Sequence, residues 1–261
     1  MTWTIVVAVK QVPDAEEVGI DPDTGRLDRA SAPAVLNAPD RDALEAGLEL
    51  RDAVGGEVIA TTMGPPTATA VLEETVAMGC DGGLLITDKA FAGSDTWPTS
   101  LTLARAAEAL SADVVICGEE TTDSSTGQVP PGIAAHNGWA QLTYVEELEP
   151  RPEEGENGRL VAKRDVEGGH ELVAADLPVV VAVAYGEFPA RPAGLHRKLF
   201  AENDFEPTQW TAADLAIEAE VGLAVSPTSV GGMETVDPVE RDRKVVDSVD
   251  DLAERIAEVI A

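Results

Sequence analysis

Basic residues are scarce in this sequence of 261 residues. It has 18 lysines and arginines against 48 aspartates and glutamates, which gives a formal net charge of −30. A nucleic-acid-binding surface needs a basic footprint, so this composition argues against that class of protein. The acids are spread along the whole chain and favour a carboxylate-coated surface suited to concentrated salt. At about 1 M salt the screening length falls to roughly 3 Å, which suppresses the repulsion among these carboxylates.

Cysteine and histidine are also sparse. Cys80 and Cys117 lie far apart beside apolar runs and form no CxxC pair. This spacing argues against a structural zinc site or a cysteine-ligated iron–sulfur cluster, and we expect two buried thiols. The three histidines, His136, His170 and His196, are scattered. We therefore expect no metal site and no catalytic histidine.

Long apolar runs are absent, since none approaches the roughly 20 residues of a membrane span. The start, MTWTIVVAVK, has neither a basic leader nor a small-residue cleavage site. We therefore expect no signal peptide and a cytoplasmic protein. The stretch VAVKQVPDA contains no glycine, which excludes a Rossmann GxGxxG fingerprint after the first strand.

What the first half does contain is an alternation of apolar runs and helical patterns. The runs TIVVAVK, EVIATTM, GLLIT and ADVVICG predict buried strands. Helical spacing follows each of them, and the third and fourth helices are predicted over Thr99–Leu110 and Gly127–His136. This order predicts an α/β fold with an open, mostly parallel sheet and helices on both faces.

The pattern changes in the second half. Strands around RPEEGENG and Gly168–Gly169 predict a β-hairpin, and PVVVAVAYG predicts another buried strand. After Phe188 the chain is irregular and rich in proline until an acidic helix, Val249–Ile260, whose Leu252, Ile256, Val259 and Ile260 share one face. We expect an α/β nucleotide-binding domain over residues 1–188. Residues 189–261 would form an extended arm that wraps a partner chain.

The loop after the fourth strand, TTDSSTGQV, is unusually rich in hydrogen-bonding side chains. Ligands of open parallel sheets bind at the carboxyl ends of strands, near the point where strand order reverses. If Ser125 or Thr126 caps the next helix, the amides of Gly127, Gln128 and Val129 form an anion site. The alternative is a helix cap with surplus hydroxyl groups, and spacing alone leaves both open.

Two other strand exits, MGPP and TDKAFAGSDTWPTS, are also rich in glycine, serine or threonine. Together the three exits predict a nucleotide laid across the edge of the sheet. No histidine or second carboxylate is obviously paired with Asp123. We therefore expect no catalytic side chains, and any chemistry would belong to a cofactor.

Five ordered motifs carry a family resemblance: VAVKQVPD, LNAPDRDALEAGLEL, MGPPTATAVLEETVAMGCD, DSSTGQVPPGIA and RDVEGGHE. The chain from Thr4 to about Phe200 resembles the beta subunit of electron transfer flavoproteins, the EtfB/FixA family, with a haloarchaeal-like composition. The resemblance implies a heterodimer with an alpha subunit that shares an FAD. It also implies an adenine nucleotide in this chain, either AMP or a second FAD.

The resemblance further implies which residues contact the nucleotide. These are Ala8, Lys10, Asn37, Ala38, Pro39, Asp40, Met63, Gly64, Asp123, Ser124, Ser125, Thr126, Gly127, Gln128 and Val129. It also places Leu195, in ARPAGLHRKLF, at the position where the family docks onto flavoprotein dehydrogenases. The alternative for Leu195 is packing within its own segment.

The function that the resemblance implies is electron transfer between flavoprotein dehydrogenases and a quinone-linked or other acceptor. Membrane contact would come only through a quinone reductase. Two departures from the AMP-type pattern, NAPD and SSTGQ, leave AMP and a second FAD both open. IDPDTGRLDR, MGPP and DKAFAGSDTWPTS look more like an NADH-oxidising, electron-bifurcating subunit, which would make the complex an enzyme. A stress-type adenine-nucleotide sensor is the non-redox alternative.

Overall fold

The computed structural model describes residues 2–14, 19–20, 27–28, 33–229, 246 and 248–260. These residues form strands β1 (Trp3–Ala8), β2 (Gln11–Pro13), β3 (Gly19–Ile20), β4 (Leu27–Asp28), β5 (Ala34–Leu36), β6 (Gly56–Met63), β7 (Gly82–Ile86), β8 (Val114–Gly118), β9 (Ala140–Arg151), β10 (Arg159–Val166), β11 (Gly169–Asp176), β12 (Val179–Val183) and β13 (Thr208–Trp210). The helices are α1 (Ala38–Val54), α2 (Thr69–Met78), α3 (Thr96–Ala109), α4 (Val129–Asn137), α5 (Leu195–Asn203) and α6 (Val249–Ile260).

Nine strands form one sheet in the order β11-β10-β9-β12-β8-β1-β6-β7-β13. The pairs from β9 to β13 are parallel, whereas β10 pairs antiparallel with both β9 and β11. The chain builds outward from β1 through β6 and β7, then returns to the other side of β1 with β8. Strand order therefore reverses between β1 and β8, and this is where such sheets bind ligands.

The central strands are apolar because they are covered on both faces. Every residue of β8 (VVICG) and β12 (VVVAV) is buried, and their β-branched side chains suit a pleated, enclosed surface. Helices α1 and α2 pack on one face of the sheet and α3 and α4 on the other. The predicted mostly parallel α/β fold with helices on both faces is confirmed.

Two helix starts differ from the sequence-based predictions. Helix α3 begins at Thr96, where Asp95 accepts a hydrogen bond from the Trp97 amide at 2.9 Å. Pro98 is tolerated because the first turn of a helix does not use its amide hydrogens. Helix α4 begins at Val129, two residues later than the pattern indicated.

The segment after Phe188 has more regular structure than the proline-rich pattern indicated. Helix α5 packs on α2, and β13 pairs in parallel with β7 as an edge strand. Residues 212–221 then add buried apolar side chains to the cluster around Leu84, Ile86 and Phe91. Short elements of this kind are set by contacts with neighbouring surfaces, which a local pattern does not reveal.

By its contacts the chain divides into two units, Met1–Ser229 and Val230–Ala261. The second contains α6, whose predicted bounds, Val249–Ile260, are confirmed. Leu252 and Ile256 are exposed on it, whereas the side chains of Val259 and Ile260 lie outside the described residues. Most of the segment IDPDTGRLDR also lies outside them. Within the described chain, no helix is both long and apolar enough to cross a membrane.

Candidate functional site

Asp40 ties together the two strand ends at the point where strand order reverses. Its carboxylate accepts a hydrogen bond from the Lys10 amide, just past β1, at 2.7 Å, and another from the Gly118 amide at the end of β8. A Cβ on Gly118 would lie 2.7 Å from Asp40 Oδ1, so glycine is needed for this close approach. Burial raises the pKa of Asp40 to about 7, although its hydrogen bonds oppose the shift.

Asn37 fastens the loop after β8 to the start of α1. Its side-chain oxygen accepts from the Thr122 amide at 3.0 Å, and its Nδ2 donates to the Glu120 carbonyl at 3.1 Å. The same Nδ2 donates to Asp40 Oδ1 at 2.9 Å. Because Asn37 is completely buried and these partners occupy its amide, we infer that it acts by positioning the loop.

Lys10 reaches the same loop from the end of β1. Its Nζ lies 2.8 and 2.7 Å from the two oxygens of Asp123. Partial burial raises the pKa of Asp123, but hydrogen bonds from Lys10, Thr121 and Ser124 outweigh it and hold the pKa below its ordinary value. The pair is partly exposed, so it contributes about 0–1 kcal/mol to stability. Its main effect is to hold an ammonium group beside the loop.

The predicted side-chain cap of α4 is wrong. Gln128 occupies the N-cap position without a capping side-chain bond, and the Gln128 amide lies 3.5 Å from Thr126 Oγ1, at the limit for a hydrogen bond. Ser125 instead bonds back to Thr121 through both its amide and its hydroxyl. Pro130 and Pro131 supply no amide hydrogen, so the start of α4 at Val129 leaves the Val129 amide as the donor of its first three residues.

Gly127 leaves open space in this loop. Its φ is +60°, and an added Cβ would meet nothing closer than the Glu119 carbonyl oxygen at 3.6 Å. The Gly127 amide has no acceptor within the described part of the chain. An anion can therefore approach the backbone here. Ser125, with φ +44°, adds a second left-handed residue that turns the loop.

The remaining predicted residues lie at the same edge of the sheet, at different distances from this loop. Ala8 pairs with Cys117 on one side and Thr61 on the other. Ala38 and Pro39 form the first turn of α1. Met63 ends β6, and the Gly64 amide donates to the Ile86 carbonyl at 3.0 Å. The structure thus brings Lys10 into contact with Asp123, and Asn37 into contact with residues 120 and 122 of the same loop. Met63 and Gly64 lie one strand farther out.

Sequence reasoning missed the side of the loop that faces β12 and β9. A cavity of about 40 Å³ lies there. Its lining residues are Glu119, Gly127, Pro131, Thr143, Tyr144 and Ala182. Burial raises the pKa of Glu119, whose carboxylate accepts from the Tyr185 amide at 3.3 Å. Tyr144 lies within β9, whose sequence is typical of an ordinary strand. The sequence therefore gave no signal that Tyr144 lies beside the loop.

Leu195, the predicted docking residue, lies at the start of α5 and is 75% exposed. Leu199 and Phe200 are also exposed on this helix, while Ala201 is buried against the core. Arg197 donates to the Cys80 carbonyl at 3.0 Å and holds the helix in place. Packing within its own segment therefore does not account for the exposed Leu195 side chain.

Buried carboxylates on α1 hold the segment that leads to this helix. Asp42 accepts from the Gly186 amide at 3.1 Å. Glu45 accepts from the Arg191 amide and pairs with its guanidinium, each at 2.9 Å. Helix α1, which begins at the candidate site, therefore also anchors the segment that precedes Leu195.

One group of possible metal ligands occurs on the hairpin, within the part of the chain that the structure describes. Ligand atoms of Glu146, Asp165 and His170 lie within 4.8 Å of one another. Glu146 also lies 3.2 Å from Lys163 Nζ and 3.0 Å from His170 Nδ1. The Lys163 ammonium already pairs with Glu146, and His170 lies within hydrogen-bond distance of it, so we interpret this group as a polar network of the hairpin.

The residues present fit a phosphate group. A free amide and open space at Gly127 suit a phosphate, a lysine ammonium lies beside the loop, and hydroxyl groups surround it. The arrangement can hold an anion at the Gly127 backbone.

Comparison with known proteins identifies the family of this chain. The family described as "Electron transfer flavoprotein domain" matches residues 24–215. The chain is 41% identical over 227 residues to the electron transfer flavoprotein subunit beta of Clostridium acetobutylicum, covering 87% of this chain and 85% of that protein.

Two further relatives are similar over most of their length. Protein FixA of Sinorhizobium fredii is 35% identical over 260 residues, which cover 97% of this chain and 90% of the relative. The caffeyl-CoA reductase-Etf complex subunit CarD of Acetobacterium woodii is 38% identical over 230 residues, with 87% and 85% covered. The chain belongs to the electron transfer flavoprotein family, and its relatives there are beta subunits and FixA proteins.

Proposed function

We propose that this chain is the beta subunit of a heterodimeric electron transfer flavoprotein, and that it holds an adenine nucleotide at the carboxyl edge of its sheet. It carries electrons between flavoprotein dehydrogenases and a quinone-linked or other acceptor. The observation that carries the proposal is the loop at residues 119–128, which Asn37 and Lys10 fasten at the point where strand order reverses. Family membership supports association with flavin and with an alpha subunit.

The roles of the chain's own residues follow from the contacts. Asn37 and Asp40 position the loop, Gly127 admits the phosphate to the backbone, and Lys10 places a positive charge beside it. The bound flavin, shared with the alpha subunit, supplies the redox chemistry. The nucleotide is AMP or a second FAD. Asn37 and Asp40 act on it through the loop, and its contacts are the other residues that the family resemblance implies.

The proposed partners are an alpha subunit and flavoprotein dehydrogenases that dock at Leu195. One relative is by name a subunit of a caffeyl-CoA reductase-Etf complex, which supports a flavoprotein acting on acyl-CoA compounds as a partner class. We propose that residues 189–261 complete the heterodimer by contacting the alpha subunit, and that the protein works in the cytoplasm in concentrated salt.

A second candidate function is an NADH-oxidising, electron-bifurcating complex. The exits MGPP and DKAFAGSDTWPTS favour it, because these loops resemble those of the bifurcating group. In that complex this chain binds the second FAD. Bleaching of two flavins by stoichiometric NADH would support this candidate, and inertness to NADH would exclude it.

The test is to co-express this chain with its alpha partner in high salt, denature the purified complex and measure released FAD and AMP. One FAD and one AMP per heterodimer support the carrier with AMP. Two FAD and no AMP support the second candidate. A complex that releases neither nucleotide overturns the proposed function.

A further inference from the structure

The loop of the candidate site has two sides. Lys10 and Asn37 lie toward β1, whereas the cavity of about 40 Å³ lies toward β12 and β9. Gly127 lines this cavity, and so does Tyr144 of β9. A ligand atom bound at the Gly127 backbone therefore lies at the cavity that Tyr144 also lines.

Tyr144 has a strained backbone. Its φ is +55°, and within the described chain only Ser111, Ser125 and Ala216 share this left-handed conformation without being glycine. Thr143 and Tyr144 together face a single residue of β12, Ala182, so the strand bulges here. A bulky residue in this conformation persists only where surrounding structure imposes it, and such strain concentrates at ligand sites.

The bulge is held on both sides. Arg164 Nη2 donates to Thr143 Oγ1 at 3.0 Å, and regular pairing resumes where the Ala184 amide donates to the Val145 carbonyl at 2.9 Å. Tyr144 as a residue is 55% exposed, and it stacks on no aromatic ring of the described chain. Its hydroxyl has no hydrogen-bond partner among the described residues. The backbone is thus fixed, while the side chain makes no ring contact or hydrogen bond among the described residues.

We propose that Tyr144 is a stacking platform for the planar heteroaromatic ring of a nucleotide bound at this loop. The inference rests on the proposed function and adds a subsite on the β9 side of the loop. The ring is either the adenine of the nucleotide in this chain or the flavin shared with the alpha subunit. Both present a flat π-face, and stacking on an aromatic side chain does not require hydrogen-bond readout.

The experiment uses the heterodimer with its alpha subunit, stripped of nucleotide and titrated separately with AMP and with FAD. Tyr144→Asn removes the ring and keeps a residue that tolerates a left-handed φ, so it folds without added strain. Tyr144→Phe retains the ring. The matched control is Leu172→Asn on β11, since Leu172 is 79% exposed and does not line the cavity.

Tyr144→Asn should weaken binding of AMP or of FAD by about tenfold, as expected for loss of one stacking partner. Tyr144→Phe and Leu172→Asn should bind like the wild type. A loss for AMP identifies adenine as the ring, and a loss for FAD alone identifies the flavin.

Unchanged binding of both ligands in Tyr144→Asn overturns the inference, as does a lower affinity for the alpha subunit without a change in nucleotide binding. Gly127→Val separates the two proposals. If it lowers nucleotide content while Tyr144→Asn does not, only the stacking role fails. If the wild-type heterodimer binds neither ligand, both proposals fail.

Discussion

The backbone amide of Thr122 donates a hydrogen bond to the side-chain oxygen of Asn37 at 3.0 Å, across 85 positions of the sequence. The same side chain donates to the Glu120 carbonyl and to Asp40. One buried amide therefore joins the start of α1 to the loop after β8. The shape of the candidate site depends on this junction.

Replacing Asn37 by alanine should destabilise the protein by about 1–3 kcal/mol, because buried loop groups lose their hydrogen-bond partners. It should also lower the nucleotide content of the heterodimer. Urea unfolding and analysis of released nucleotide measure the two effects. Asn137→Ala is the control, since Asn137 donates to the Ala104 carbonyl at 3.0 Å, away from the loop. Equal nucleotide loss in both variants would contradict the positioning role.

Gly127→Val should remove the phosphate approach and reduce bound nucleotide. Gly138 ends α4 with a similar φ, +64°, and has no atom within 4 Å of an added Cβ. Gly138→Val therefore imposes a comparable backbone strain, roughly 1–3 kcal/mol, without touching the loop. Both variants should lower the melting temperature, and only Gly127→Val should lower nucleotide content. Full nucleotide occupancy in Gly127→Val would show that the phosphate binds elsewhere.

Asp40 should give the protein a characteristic pH dependence. Its pKa is about 7 in the folded state against an ordinary 3.8, so the folded state binds the extra proton between these values. The stability contributed by this group is full below about pH 4, falls as pH rises and is lost above about pH 7. The difference in unfolding free energy between wild type and Asp40→Asn, measured by urea titration at fixed salt, should follow this slope. If the unfolding free energies of the two proteins changed with pH in parallel, this role of Asp40 would be refuted.

Leu195→Ala should slow reduction by a partner flavoprotein dehydrogenase while leaving stability almost unchanged, because the side chain is 75% exposed. Leu172→Ala is the matched control: Leu172 is 79% exposed but lies on β11. Stopped-flow reduction of the heterodimer at several dehydrogenase concentrations separates weaker docking from slower electron transfer. Identical kinetics for both variants would remove Leu195 from the docking surface.

Potassium chloride should stabilise the heterodimer strongly. The beta chain alone carries a formal charge of −30, and the screening length falls from about 10 Å at 0.1 M to about 3 Å at 1 M salt. The melting temperature should therefore rise across this range and rise far less in sucrose of equal osmolality. A melting temperature insensitive to salt would contradict adaptation to concentrated salt.

Much of the fold could be read from local patterns. The apolar runs of β8 and β12 predicted buried strands because parallel strands between two helical layers have no polar face. Helix α5 and strand β13 were missed, since a nine-residue helix and a three-residue strand depend on the surfaces of α2 and β7. The start of α4 was misplaced because Pro130 and Pro131 fit the first turn of a helix as readily as a loop.

By itself, the sequence determined the α/β class, the dispersed acidity and the position of a polar, glycine-containing loop at the end of a buried strand. These features follow from overall composition and from patterns of apolar residues that extend over a few positions. Only the tertiary structure decided that Asn37 and Asp40 hold the loop, and that Tyr144 lies strained beside Gly127. Such contacts join residues far apart in the chain, and their geometry is fixed by the packing of strands and helices that no local pattern encodes.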